Sequence, residues 1–251
     1  MMEKQIPKTI HYCWFGEKQL PELARKCLNS WKYFFPDYEI IEWNESNFDI
    51  HICPYVEEAY EMKKWAFVSD YARFWILYHY GGIYFYTDVE VIKSMEDVLQ
   101  KGSFMACEAG HEYFNNLGLG VAPGLGLGAN SGLNLYREIL DMYEQMHFRD
   151  ANGNMNEQTV VDYTTSIMQK YGFRGSGEIE KVYDIIIYPP EYFCPMNYLT
   201  GKVTVTENTR SIHYYSGSWT SLYNRIKTFI RHHIGENVTM FIIKLKRRVN
   251  K

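Results

Sequence analysis

The glycine pair Gly81-Gly82 punctuates the most constraining stretch of this 251-residue sequence. Before it, Glu57 to Tyr80 contains neither Gly nor Pro and reads as helix. After it, Ile83 to Ile92 is dense in β-branched and aromatic residues and reads as a strand. The same alternation begins earlier. Lys8 to Phe15 reads as a first strand, Pro21 opens a helix to about Tyr33, and Tyr38 to Trp43 reads as a second strand. Strands separated by helices imply right-handed crossovers, so the expected class is α/β with a mainly parallel central sheet flanked by helices. Further on, Ser103 to Glu108 and Lys181 to Tyr188 read as strands, and Leu133 to Met146 and Asn156 to Tyr171 as helices. Val203–Thr206 and Arg210–Tyr215 read as a late hairpin around Glu207-Asn208. The run Gly118 to Gly128 carries glycines at 118, 120, 124, 126 and 128, a backbone that flexes or is closely approached. It lacks the G-x-G-x-x-G spacing of a dinucleotide fingerprint.

Hydrophobic residues at 46% and charged residues at 22% allow a sizeable core and exclude wholesale disorder. The formal charge of −4 excludes a globally basic nucleic-acid binder, so no nucleic-acid partner is expected. Wholly apolar runs are only a few residues long, far short of a membrane span of roughly 20. Met1 to Tyr12 has no apolar signal-like core, and the five scattered cysteines never form C-x-x-C. Both features point to reduced thiols in a cytoplasmic protein.

Three segments carry chemistry. Read as one continuous strand, Ile83 to Val91 places Tyr84, Tyr86, Asp88 and Glu90 on one face. Two carboxylates at that spacing either hold a divalent cation such as Mg2+ or Mn2+ or simply mark a strand running into solvent. The apolar helix Trp65 to Tyr78 is interrupted by Ser69, Asp70 and Arg73. At i,i+3 and i,i+4 spacing these form either a buried ion pair or a polar island for a hydroxylated ligand. Ile212 to Trp219 places His213, two serines, Gly217 and an indole N–H after a strand. That set suits a pyrophosphate, although His213 also fits a satisfied core position.

Taken together in their order, Ile6 to Gly16, Ser69-Asp70-x-x-Arg73, Gly81 to Tyr84 through Thr87 to Glu90, Ile187 to Phe193 and Thr206 to Trp219 resemble the bacterial D-x-D sugar transferases of glycosyltransferase family 32. Clostridial glucosylating toxins and yeast mannosyltransferases are the distant relatives of that family. The resemblance implies a GT-A type fold and a retaining, Mn2+- or Mg2+-dependent transfer of a hexose from a nucleotide sugar, with UDP-glucose or UDP-galactose expected. It implies a saccharide acceptor, expected to be lipid-linked, in bacterial capsule or surface polysaccharide synthesis. Carried over by position, Asp70, Arg73 and Asp88 are the implied catalytic residues. Trp14, Ser69, Asp70, Arg73, Tyr86, Ser218 and Trp219 are the implied donor contacts. Asp88, Glu90 and His213 are the candidate metal ligands. The chain departs from the family at Tyr86, which stands where the first Asp of D-x-D belongs. Tyr is neutral near pH 7 and a poor ligand for hard cations. A catalytically impaired relative that binds a nucleotide sugar or a partner enzyme is therefore the alternative.

The expected division is a catalytic domain over 1–220 and a basic amphipathic helical tail over 221–251. From Arg225 to Lys251 eight Lys and Arg face one acid, Glu236, leaving −11 on the rest of the chain. Such a tail suits an anionic membrane surface, and the expected location is the inner face of the plasma membrane. A chain ending near Tyr223 should then float free of anionic liposomes while the full chain co-sediments, with binding falling as salt rises. Equal sedimentation of the two would rule out the tail as an anchor.

Overall fold

The computed structural model describes residues 5–110, 116–156 and 158–217. Ser218, Trp219 and the whole basic tail lie outside the described residues, as does Glu157.

Strand β1 (Thr9–Cys13) pairs in parallel with β2 (Glu39–Trp43), and α1 (Glu22–Phe34) is the crossover between them. Helix α1 buries Ala24, Cys27 and Trp31, one stripe at helical spacing. The Trp31 indole N–H donates to the Val89 carbonyl at 2.8 Å, and Ser30 Oγ accepts the Val91 N–H at 2.9 Å. A local amphipathic pattern thus fixes a remote segment of backbone.

The helical stretch expected over Glu57 to Tyr80 is two helices, α2 (Pro54–Glu61) and α3 (Trp65–Tyr80). Lys63 between them has φ 58°, and the Lys64 N–H reaches back to the Ala59 carbonyl at 2.9 Å. This left-handed stop satisfies the last carbonyls of α2 and brings the Trp65 ring against Tyr60. Composition alone does not show it, because the residue in the left-handed position is Lys and not Gly.

The strand expected over Ile83 to Ile92 is also two elements, β3 (Gly82–Tyr84) and β4 (Val89–Val91). Tyr86 donates its N–H to the Gly124 carbonyl at 2.8 Å, and a turn closes from Val89 N–H to Tyr86 O at 3.1 Å. The chain therefore leaves the main sheet at Phe85, and β4 pairs antiparallel with β10 (Ser211–His213) in a small second sheet. Strand alternation does not run from Tyr84 to Glu90, so the shared face expected for Asp88 and Glu90 does not exist.

After α4 (Glu96–Leu99), the chain continues through β5 (Phe104–Ala109), β6 (Leu119–Val121) and β7 (Leu127–Ala129), then α5 (Asn134–Glu144) and α6 (Val160–Lys170). Thr159 caps α6 in a reciprocal box with Asp162, which places its start after Gln158. Strands β8 (Glu180–Val182) and β9 (Ile185–Tyr188) and the short α7 (Pro190–Phe193) lead to β10. The expected late hairpin does not form: Val203 bridges Met196, and the 211–213 strand pairs with β4.

The main sheet has the order β2-β1-β3-β7-β5-β9-β8, with β6 beside β5. Its parallel pairs are β1 with β2, β1 with β3, and β5 with β9, while β7, β6 and β8 run antiparallel to their neighbours. Strands β1, β2, β3, β5 and β9 consequently share one direction, as an α/β chain with a mainly parallel sheet requires. The glycine run is a closely approached backbone. A Cβ on Gly128 would sit 2.2 Å from the Phe104 ring, so β7 tolerates no side chain there.

His11 locks β1 into the centre. It is buried, accepts the Trp43 indole N–H at Nδ1 (3.1 Å) and donates from Nε2 to the Gly81 carbonyl (3.0 Å). Burial lowers its pKa to about 4, only partly offset by the Gly81 carbonyl. A lowered histidine pKa stabilises the fold above the unfolded value of 6.5, and that stabilisation is lost as pH falls towards 4. The loss should be on the order of 3 kcal/mol for full titration. Urea unfolding at pH 7.5 and 4.5 should show it in the wild type, and His11→Asn should remove this part of the pH dependence.

Candidate active site at the carboxyl ends of the central strands

A guanidinium with 0% exposure is the centre of the site. Arg73 on α3 donates from Nη2 to Asp70 Oδ1 (2.6 Å), from Nε to the Ser69 carbonyl (2.9 Å) and from Nη1 to the Tyr86 hydroxyl (2.7 Å). Its carbon lies 4.7 Å from the Tyr86 ring centroid and 5.1 Å from that of Tyr84. An unpaired buried charge would be prohibitive, so this arrangement fixes all four side chains relative to one another. Ser69 Oγ donates to the Trp65 carbonyl, and the Cys13 thiol at the end of β1 lies beside Ser69 and Tyr84. Residues from α3 thereby meet the carboxyl ends of β1 and β3, where open α/β sheets place ligands.

Burial pushes the Asp70 carboxyl up to about 6 against the opposing pull of Arg73. Tyr86 is likewise pushed up to about 12 by burial and stays a phenol, with Arg73 pulling the other way. Its ring stacks on His213 at 5.7 Å and 24°. Room for the ring comes from Gly124, where a Cβ would lie 1.9 Å from it. Tyr86 thus fills the space between Arg73 and His213, with a glycine fitted to it.

On the other side of that ring, Asp88 Oδ1 lies 3.4 Å from His213 Nε2, and Oδ2 accepts the Ser216 N–H at 2.8 Å. The Asp88 carbonyl accepts the Tyr214 N–H at 3.0 Å. Burial would raise the Asp88 pKa, but His213 and the Ser216 N–H outweigh it and hold the carboxyl at about 2. Burial works to lower the His213 pKa, yet the Asp88 carboxylate drives it well above the usual 6.5. The pair is ionic near neutral pH.

The structure therefore brings together Ser69, Asp70, Arg73 and Tyr86, and next to them Asp88 and His213. It does not bring Glu90 beside Asp88. Glu90 Oε2 pairs with Lys26 Nζ at 2.7 Å and accepts the Tyr214 hydroxyl. Trp14 stands just past β1, half-buried, with its indole N–H given to the Lys18 carbonyl. Ser218 and Trp219 lie outside the described residues. Hard cations such as Mn2+ and Mg2+ want several oxygen ligands. Here Asp88 is one carboxylate already engaged by His213, Tyr86 is bonded to Arg73, and Glu90 is turned to Lys26. This donor set does not fit such an ion.

Sequence reasoning missed Glu108 and Cys194. One ligand atom from each lies within 4.8 Å of the other and of one on His213. The placement of Glu108 near the carboxyl end of a predicted strand was the available signal. Cys194 carried none, because it is a lone cysteine just after Phe193.

Comparison with known proteins places part of the chain among sugar-transferring proteins by similarity. Residues 21–105, from α1 into β5, match the family described as "Glycosyltransferase sugar-binding region containing DXD motif". The chain is 34% identical over 115 residues to inositol phosphoceramide mannosyltransferase 1 of Schizosaccharomyces pombe, covering 41% of this chain and 34% of that protein. It is 28% identical over 127 residues to inositol phosphoceramide mannosyltransferase 3 of the same organism, covering 47% and 34%. The chain thus spans about a third of the length of these curated relatives. The solved structure of PaToxG Glycosyltransferase superposes with a TM-score of 0.50 at 18% identity, over 66% of this chain and 70% of that one. The fold is accordingly of the GT-A-like α/β type expected from the sequence.

The fit of Tyr86 to Gly124 makes a direct prediction. Gly124→Ala should cost about 1–3 kcal/mol of stability by overpacking. In a Tyr86→Asp background the same change should cost much less, because the opposing ring is gone. Denaturant unfolding of the four proteins of this cycle measures the coupling; equal costs in both backgrounds would show that the ring and the glycine are not matched.

Proposed function

We propose that this chain is a glycosyltransferase that moves a sugar from a nucleotide-sugar donor to a saccharide acceptor. One observation carries the reading: the buried Arg73–Asp70–Tyr86 cluster and the neighbouring Asp88 stand at the carboxyl ends of the central strands. All four residues fall within the segment that matches the sugar-binding family.

In this reading Asp70 Oδ2 accepts a hydroxyl of the donor sugar, while Oδ1 stays locked to Arg73. Arg73 supplies a fixed positive field where charge develops as the glycosidic bond to the diphosphate breaks. It requires little reorganisation, because its donors are already held by Asp70, Ser69 and Tyr86. Asp88 acts as a positioning residue. Its backbone carbonyl accepts the Tyr214 N–H and its carboxylate the Ser216 N–H, which orders residues 214–217. Ser218 and Trp219, next in sequence, are the proposed pyrophosphate contacts. We further propose transfer with retention, the acceptor hydroxyl attacking from the leaving-group side. The departing diphosphate oxygen takes its proton, and no protein base is required.

UDP-glucose and UDP-galactose are the donors we propose first. The mannosyl activity in the names of the yeast relatives makes a mannose donor the next to test. A lipid-linked saccharide of bacterial surface polysaccharide is the proposed acceptor, met at the cytoplasmic face of the membrane through the basic tail. The rival reading, a binding protein without turnover, rests on Tyr86 in place of the motif's first Asp.

The test is release of nucleotide diphosphate from a panel of nucleotide sugars, with and without Mn2+. Turnover of one donor supports the enzyme; tight donor binding without turnover across the panel supports the rival. For the active donor, kcat/KM should fall as pH drops below about 6, because protonation of Asp70 removes the carboxylate acceptor. Asp70→Asn should be slower and lack that acid limb. Asp88→Ala, which removes the acceptor of the Ser216 N–H, should reduce turnover by about a hundredfold or more by misaligning the 214–217 segment.

A further inference from the structure

The side chains that meet behind Tyr86 differ in chemistry from a D-x-D cation site. Glu108 near the end of β5, Cys194 directly after α7 and His213 on β10 each offer a ligand atom, and the three atoms lie within 4.8 Å of one another. We propose that Glu108, Cys194 and His213 form a binding site for a borderline-soft divalent cation of the zinc class.

Two observations support a site over a chance polar cluster. First, His213 Nδ1 is buried with no hydrogen bond of ordinary geometry among the described residues, its ring interacting only electrostatically with the Cys194 thiol, while Nε2 faces Asp88. A buried ring nitrogen without a well-formed hydrogen bond is costly unless something binds it. Second, the carboxylate behind the imidazole is the arrangement by which proteins orient a metal-ligating histidine. Asp88 fixes the ring through Nε2, and Nδ1 gives up its proton to take the ion. The Tyr215 hydroxyl, 2.9 Å from Cys194 Sγ and hydrogen-bonded to Glu108, serves two of the three groups but not His213. Tyr215 itself sits at φ 49°, an uncommon backbone conformation for a bulky residue.

The donor types select the ion. A thiolate with an imidazole and one carboxylate suits Zn2+ or Co2+ and excludes Mg2+ and Ca2+. Donor atoms around a tetrahedral zinc ion lie roughly 3.5 Å apart, so the three side chains need to close by about 1 Å, within rotamer adjustment. Three protein ligands leave a fourth position for water or the Tyr215 hydroxyl. An ion there ties β5, α7 and β10 together beside Asp88, and it does so whether or not the chain transfers sugar. Failure of this site would therefore leave the transferase reading untouched.

Co2+ added to the chelator-treated full chain under reducing, anaerobic conditions is the probe. We expect one equivalent to bind with a near-ultraviolet thiolate-to-cobalt charge-transfer band, displaced by Zn2+ and not by excess Mg2+. Cys194→Ser should abolish the band and Cys107→Ser should keep it. Glu108→Gln should weaken binding at least tenfold. Asp88→Asn should retain the band with about 10–100-fold lower affinity, as an orienting group would. Should Cys194→Ser fail to fold, X-ray absorption of zinc bound to the wild type decides instead: one sulfur near 2.3 Å with nitrogen or oxygen near 2.0–2.1 Å is expected. Absence of stoichiometric binding, a band that survives Cys194→Ser in a folded variant, or zinc with only nitrogen and oxygen neighbours would each overturn the site.

Discussion

A fully buried guanidinium is what the active end of this molecule depends on. Arg73 keeps its charge away from water because Asp70, the Ser69 carbonyl and the Tyr86 hydroxyl take its N–H groups. Those acceptors belong to one turn of α3 and to the loop that leaves β3. Satisfying one side chain therefore fixes how the helix sits on the strand ends. Removing a partner would leave a charge stranded in the core, which typically costs 3–5 kcal/mol. Rigidity of this kind is what electrostatic preorganisation requires, and here it is built from the same interactions that hold the fold.

The departure from the D-x-D pattern takes its meaning from its neighbours. An Asp at position 86 would face Arg73 as a second carboxylate. Tyr86 offers a neutral hydroxyl, a face for the cation and a ring for His213 to stack on. Its size is tolerated because Gly124 has no side chain. The cluster is thus packed consistently around a tyrosine at this position. Beyond the ring, Asp88 and His213 form an ion pair, and the Cys194 thiol and the Glu108 carboxylate gather behind it.

Two tethers carry the position of Asp88 back to ordinary core packing. Trp31 and Ser30 on α1 hold the β4 backbone, and β10 completes the small sheet on the other side. The turn from Tyr86 to Val89 hangs between β3 and β4, so Asp88 is placed by elements that never touch a ligand in the proposed reaction. Two residues on, Glu90 points to Lys26 on α1 and serves that anchoring instead.

Local pattern alone determined the α/β class, the strand–helix–strand start from β1 to β2 and the polar island Ser69, Asp70 and Arg73. Each depends on periodicity or on i,i+3 and i,i+4 spacing within one element. The ordered set of motifs also made the sugar-binding resemblance legible, and residues 21–105 match that family. Tertiary structure decided what sequence spacing could not. The stop at Lys63 and the exit of the chain from the sheet at Phe85 follow from hydrogen bonds to distant or left-handed backbone, not from composition. That exit separates Asp88 from Glu90, although two-residue spacing on an unbroken strand would have put them side by side. Glu108, Cys194 and His213 meet only because β5, α7 and β10 end at the same place. No local periodicity encodes a convergence of three separate elements; it arises from how the strands pair.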